Sequence, residues 1–327
     1  MRRLAMLLLM MPLVARAQFK ESIEVVRILA DVRVTDADGE PLDDLHAGDF
    51  TVRIGGKPAA VESATWVADV RSDADPSIPK SGRLLIVFVQ TDFARESARI
   101  HGQLKFLPYA EELIAGLEPE DRVAVVSFDS HLKFRLDFTS DKDRVREALR
   151  ASVALDEPPT PPIVASPSLA PRLDARAMRR AVSSERGLTI VADALRSVEG
   201  AKTLLLLGWG LGQLSAVGVT MKQEYLAARR ALDAARVSVF ALDTTNADYH
   251  DLELGLDRAA RDTGGFYAKT HVLPRIAISR LQRTLAGHYE LELRRPNALR
   301  PGTHDMSVRV SRRGAVVLAP ATYVDQH

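Results

Sequence analysis

Two uninterrupted apolar runs, Leu84-Leu85-Ile86-Val87-Phe88-Val89 and Leu204-Leu205-Leu206-Leu207, constrain this chain more than any other feature. Unbroken apolar runs of this kind mark strands buried on both faces, the pattern of a parallel sheet covered by helices on either side. "VSVFALDTTN", from Val237, reads as a third such strand. All three stop abruptly, in "QTDFA", "GWG" and "DTTN". Ligands of open α/β sheets sit where such strands end, so these three stops define where to look for a site.

The segments between the runs have helical periodicity. Residues 96–117 place Ile100, Leu104, Leu107, Leu113, Ile114 and Leu117 at helical spacing, with Pro108 expected to kink or split the helix. "DRVAVVSFD" and "HLKFRLDFT" read as two strands in tight connection, followed by a helix capped by Ser140 or Asp141. Residues 153–186 are rich in proline in their first half and read as an insertion loop whose later part has helical character. Helices are expected in "GLTIVADALRSVEG", "TMKQEYLAARRALDAAR", "LELGLDRAARDTGG" and "LPRIAISRLQRTLAG", with a short strand at "FYAKT". The alternation predicts a doubly wound, mostly parallel, Rossmann-like α/β sheet over residues 83–287.

Both ends have a different texture. Residues 18–70 alternate with period two around the turn signals Asp38-Gly39 and Gly55-Gly56, and the β pattern returns over 288–327. Residues 71–82 read as a polar linker. Small isolated sheets are marginal, so the two ends are expected to pair into one β-sandwich with the α/β unit inserted between them; two separate small β units are the alternative.

Residues 1–17, "MRRLAMLLLMMPLVARA", have the basic start, short apolar stretch and Ala15-x-Ala17 ending of a secretory signal peptide, with cleavage expected before Gln18. An uncleaved anchor is the competing reading, but the apolar stretch falls short of the roughly 20 residues a spanning helix needs. Cleavage leaves no transmembrane helix in the mature chain, and makes it exported, periplasmic or extracellular. It also takes the formal charge from +1 to −2, because three arginines leave. A near-neutral chain lacks the basic surface that nucleic acid requires. The absence of cysteine excludes disulfides and thiolate chemistry.

The order of these elements, with "DFTSDKDRVREAL", "GLTIVADAL", "KTLLLLGWG", "VSVFALDTTN" and "RAARDTGGFYAKT", resembles a von Willebrand factor A (VWA) domain. The flanks, "ADVRVTDADGEPLDDLHAGDFTVRIGGKPAAVES" and "GHYELELRRPNALRPGTHDMSVRVSRRGAVVLAPATYV", resemble the bacterial secreted VWFA-related proteins abundant in acidobacteria. The resemblance implies a metal-ion-dependent adhesion site (MIDAS) built from a D-x-S-x-S loop, a Thr and a later Asp. On that pattern Gln90 falls at the first Asp, Asp92 and Ala94 at the two serines, Thr189 at the Thr and Trp209 at the later Asp. Mg²⁺ takes hard oxygen ligands. Ala94 and Trp209 supply none from their side chains, and Gln90 supplies only a neutral amide, so the loop reads as degenerate. No cofactor is expected beyond weak Mg²⁺ or Mn²⁺.

The residues therefore point to a non-enzymatic protein-interaction module that binds a protein partner along Gln90, Asp92, Ala94, Thr189 and Trp209. The metal-dependent alternative is adhesion through a rebuilt site including Asp92 and Thr189. A rebuilt polar site of Asp92, Asp129 and Asp243, with His250 nearby, competes with ordinary capping and turn roles for these acids. Trp209 is either packed under the insertion loop or a contact anchor. The arginines between Arg280 and Arg313 read as a solvated strand face and edge protection, or as a receiver for an acidic partner. G-x-S-x-G, P-loop, H-E-x-x-H and G-x-G-x-x-G motifs are absent.

Overall fold

A computed structural model describes residues 27–69, 82–91, 97–154, 167–216, 218–247, 249–297 and 299–325. The segment expected to be a signal peptide, the linker core, and Asp92 and Ala94 lie outside the described residues. The first strands are β1 (Arg27–Thr35), β2 (Phe50–Ile54), β3 (Lys57–Ala59) and β4 (Val61–Ala68). An α/β succession follows: β5 (Leu84–Gln90), α1 (Ser97–Ala115), β6 (Arg122–Phe128), β7 (Leu132–Thr139), α2 (Lys142–Ala154), α3 (Ala175–Arg179), α4 (Ser184–Leu195) and β8 (Lys202–Gly208). It continues through β9 (Gln213–Ser215), β10 (Gly218–Thr220), α5 (Gln223–Ala234), β11 (Val237–Asp243), α6 (Glu253–Asp262), β12 (Tyr267–Lys269) and α7 (Pro274–Thr284). The chain closes with β13 (Gly287–Arg294), β14 (Gly302–Val310), β15 (Val316–Leu318) and β16 (Thr322–Asp325).

The central sheet has the order β12-β11-β8-β5-β6-β7 and is parallel except for β7, which returns antiparallel to β6. The apolar runs lie at its centre because alternate residues of each strand must be buried on opposite sides. Ile86, Phe88, Leu204 and Leu206 face α4, α5 and α6, whereas Leu85, Val87, Leu205 and Leu207 face α1, α2 and α7. Each such side chain, fully removed from water, contributes roughly 1.5–3 kcal/mol.

Local signals account for most boundaries. Asp141 caps α2, accepting from the amides of Asp143 and Arg144 at 3.0 and 3.2 Å. Pro108 does not split α1. The carbonyl it leaves without an intrahelical partner is that of Leu104; both residues lie on an exposed face, where water can serve it.

Two four-stranded antiparallel sheets, β15-β1-β13-β4 and β16-β14-β2-β3, each combine strands from both ends of the sequence. Their inner faces share one apolar core, in which Ile28, Val32, Val52, Ile54, Leu291 and Leu293 are buried and Tyr289 packs edge-on against Phe50 and Trp66.

These antiparallel strands meet the amino edge of the central sheet. Arg33 of β1 is buried over the Phe240 ring, its guanidinium 3.3 Å from the Thr203 hydroxyl at the start of β8. Arg236, just before β11, binds Asp31 of β1 and Glu290 of β13. It is the one non-glycine among the described residues in the left-handed region, with φ of 53°, a conformation that costs about 1 kcal/mol and is held by those two carboxylates. Arg83 binds Asp121 and the Leu285 carbonyl, tying both connections to the same edge.

Candidate functional site

With its amino edge covered, the central sheet leaves its carboxyl edge to the loops that follow β5, β6, β8, β11 and β12. Gln90 ends β5 there and is 2% exposed. Its amide oxygen accepts from the backbone N–H groups of Trp209 and Gly210 at 3.0 and 3.2 Å. Its amide nitrogen donates to the Gly210 carbonyl at 2.9 Å and the Ser184 hydroxyl at 3.2 Å. One neutral side chain thus fastens the loop after β8 to the start of α4. Gly208 is needed beside it, since a Cβ there would lie 2.6 Å from the Gln90 oxygen. Glu185 reinforces the closure by accepting from the Gly212 amide at 2.7 Å.

Thr189 is placed differently from the sequence expectation. The helix begins at Ser184, so Thr189 lies inside it, and its hydroxyl donates to the Glu185 carbonyl at 3.1 Å. The hydroxyl that reaches Gln90 belongs to Ser184. Trp209 is half-buried, and its backbone amide is committed to Gln90. The Gln90 oxygen is thus shared by two backbone amides and carries no negative charge.

Asp129 and Asp243 are not brought together. Asp129 follows β6 and Asp243 ends β11, three strand spacings apart in the sheet order, or roughly 14 Å at about 4.8 Å per strand. Each is satisfied by its own loop and a neighbouring strand, β7 for Asp129 and β12 for Asp243. Asp129 accepts from the Ser130 amide and pairs with Lys133 at 2.8 Å. Burial would raise its pKa, but Lys133 and the amides of Ser130 and His131 outweigh it and hold the carboxyl down at about 2.

Asp243 is 2% exposed. It accepts from the Thr245 amide and hydroxyl at 2.9 and 2.7 Å, from Tyr267 at 2.9 Å, and lies 2.8 Å from His250 Nε2. Burial alone would raise it; the His250 and Thr245 bonds prevail and keep it below its ordinary value. His250 does come near, as expected, and Glu253 completes a trio whose ligand atoms lie within 4.8 Å of one another. The Lys269 ammonium, 2.9 Å from Glu253, already supplies a positive charge. This group is therefore a hydrogen-bonded brace for the loop after β11.

A different property distinguishes the edge. Of the nine exposed large hydrophobic side chains among the described residues, seven lie on its loops or first helical turns, so exposed apolar surface is concentrated there. Val182 precedes α4, Leu214 is in the β9–β10 hairpin, Tyr249 and Leu254 follow β11, and Val272, Leu273 and Ile276 follow β12. Val272, Leu273 and Ile276 are 68, 58 and 61% exposed, just before and in the first turn of α7, where a water-facing surface would favour polar residues. Sequence reasoning missed them by assigning Leu273 and Ile276 to the helix "LPRIAISRLQRTLAG" and Val272 to no element. The missed signal is Val272-Leu273 ahead of Pro274, apolar before the helix has a buried face.

No protein-family model matches the chain, and no curated protein matches it. Among solved structures, the chain is similar to a conserved hypothetical protein, BatB, from Bacteroides thetaiotaomicron, at 12% identity and a TM-score of 0.42, over 62% of this chain and 98% of that one. A von Willebrand factor type A protein from Catenulispora acidiphila is similar at 9% identity and a TM-score of 0.43, over 90% of this chain and 74% of that one. Manganese-loaded TRAP protein from Plasmodium vivax is similar at 12% identity and a TM-score of 0.41, over 78% and 95%. At these values no functional assignment passes from them to this chain.

Proposed function

We propose that this chain is an exported, non-enzymatic protein-interaction module of VWA type, whose carboxyl edge binds a protein partner without metal. The observation that carries the reading is the gathering of exposed apolar side chains on the loops after β8, β11 and β12, three neighbouring strands of the central sheet. Apolar groups on otherwise braced loops suit contact with another protein surface. The neutral, fully bonded Gln90 supports loss of the adhesion metal and of any cofactor, and so a degenerate site within the acidobacterial VWFA-related kind. In this reading the antiparallel sheets form one β-sandwich from residues 18–70 and 288–327, with the α/β unit of 83–287 inserted through the linker 71–82. Pairing of β1 and β4 with β13, and of β2 with β14, supports it. Both connections then leave by the amino edge, and the binding edge stays open.

The residues 1–17 support export to the periplasm or beyond the cell. Among the described residues no helix is long and apolar enough to cross a membrane. The test is recovery of partners from an envelope extract by the mature chain, by a Leu273→Asp/Ile276→Asp variant, and by the mature chain in EDTA. A partner retained in EDTA and lost with the double variant is the expected result. A partner lost in EDTA would replace this reading by the metal-dependent one through Asp92.

A further inference from the structure

At the opposite edge, where the two parts of the molecule meet, the last turn of α5, the start of β11, β1 and β16 enclose a cavity of about 230 Å³. It is smaller than the roughly 300–1,000 Å³ of drug-sized sites but has room for a small organic molecule. Ile28, Met306 and Val324 supply apolar wall; Asp31, Asp233 and Arg236 supply the charge. Asp31 and Arg236 satisfy each other through an Nε to Oδ2 bond of 2.9 Å, and Arg236 is shared with Glu290 at 2.5 Å. Carboxylates therefore outnumber the base.

Asp233 has no cation hydrogen-bonded to it. Its Oδ2 accepts from the Thr322 hydroxyl at 2.5 Å, and its Oδ1 is buried without a hydrogen-bond partner. Such an orphan acceptor costs about 1–3 kcal/mol and calls for an explanation. Arg229, one turn earlier on α5, acts on Asp233 only at a distance, because its hydrogen bond goes to Asp262, at 3.4 Å. Burial pushes the Asp233 carboxyl up to about 7, with Asp262 acting the same way and Thr322 and Arg229 opposing. The other ionisable groups around the cavity are Asp31, Arg236 and Tyr323, with Glu290 behind Arg236.

We propose that this cavity binds a small organic cation, a short alkylammonium or alkylguanidinium, with Asp233 as its counter-charge and the Ile28, Met306 and Val324 wall receiving the alkyl part. A cation there gives the buried carboxyl the partner it lacks, and the surplus of acid disfavours anions. Because β1 and β16 come from the antiparallel sheets and α5 and β11 from the α/β unit, the ligand contacts both and joins them. Binding needs the ionised carboxylate, so it is coupled to proton release.

The test is calorimetric titration of the full mature chain with butylammonium chloride, with butylguanidinium chloride and with 1-butanol as the uncharged control, near pH 8 and near pH 6. The expected result is saturable binding of one equivalent of cation, about tenfold tighter near pH 8 because the ionised fraction rises by that factor across a pKa of about 7. Asp233→Asn should weaken it at least about tenfold, and 1-butanol should not bind comparably. Met306→Phe, which narrows the opposite wall and leaves Asp233 in place, should also weaken it and serves if the first variant does not fold. No saturable binding up to about 10 mM cation, or binding unchanged by both substitutions, overturns the proposal.

Discussion

Replacing Gln90 by alanine should loosen the carboxyl edge. The side chain makes four hydrogen bonds, to Trp209 N, Gly210 N, Gly210 O and Ser184 Oγ, in a site 2% exposed. At about 0.5–1.5 kcal/mol net per bond the sum is roughly 4 kcal/mol, with the stranded Gly210 groups holding it near that value. For a urea slope of about 2.5 kcal/mol/M this moves the unfolding midpoint down by about 1.5 M. The chain has two tryptophans, so a Trp66→Phe background leaves Trp209 as the sole indole reporter, sitting in the fastened loop. Gln90→Glu keeps the acceptors but cannot donate to the Gly210 carbonyl, and should cost about half as much. A midpoint shift under about 0.4 M for Gln90→Ala, equivalent to about 1 kcal/mol, would refute the fastening role.

Other expectations follow from the charged groups. Asp243 lies below its ordinary pKa, so its contribution to stability is present above the ordinary carboxylate range and is lost as pH falls through the lowered value. Asp243→Asn should therefore flatten the acid limb of a melting-temperature profile and cost about 1–3 kcal/mol at neutral pH. Asp233 is the reverse case: with its pKa raised to about 7, stability declines between the ordinary carboxylate range and about pH 7 and levels off above. Asp233→Asn should melt higher than the parent near pH 8, by at most about 4 kcal/mol of stability, and a lower melting point there would contradict the burial argument. Arg83 and Asp121 form a buried pair, with side chains 8 and 0% exposed. Asp121→Ala should cost about 3–5 kcal/mol in urea unfolding, since it strands a guanidinium.

The fold was legible because its signals are local. The runs at Leu84, Leu204 and Val237 identify their strands without knowledge of any neighbour, and Asp141 announces the helix that begins at Lys142. The β9–β10 hairpin escaped notice because strands of three residues hold too little pattern. The site was less legible because its geometry is set by distant partners. Gln90 was singled out as a failed metal ligand, but its bonds reach Ser184 and Gly210, 94 and 120 residues away. Thr189 matched a spacing, yet where its helix begins decides where its hydroxyl points. Asp233, in a helix of otherwise ordinary amphipathic pattern, gave no sign that Thr322 from the end of the chain would cover it.

The most direct test of the central account is thermal unfolding of residues 18–327 with millimolar Mg²⁺ or Mn²⁺ and again with EDTA. A native-state ligand at about 100 times its dissociation constant stabilises by roughly 2.7 kcal/mol. The account expects no displacement of the midpoint by either ion, because the Gln90 amide is occupied by the protein's own backbone. A saturable rise, reversed by EDTA and lost with Asp92→Ala, would contradict it and make the edge a metal-dependent adhesion surface.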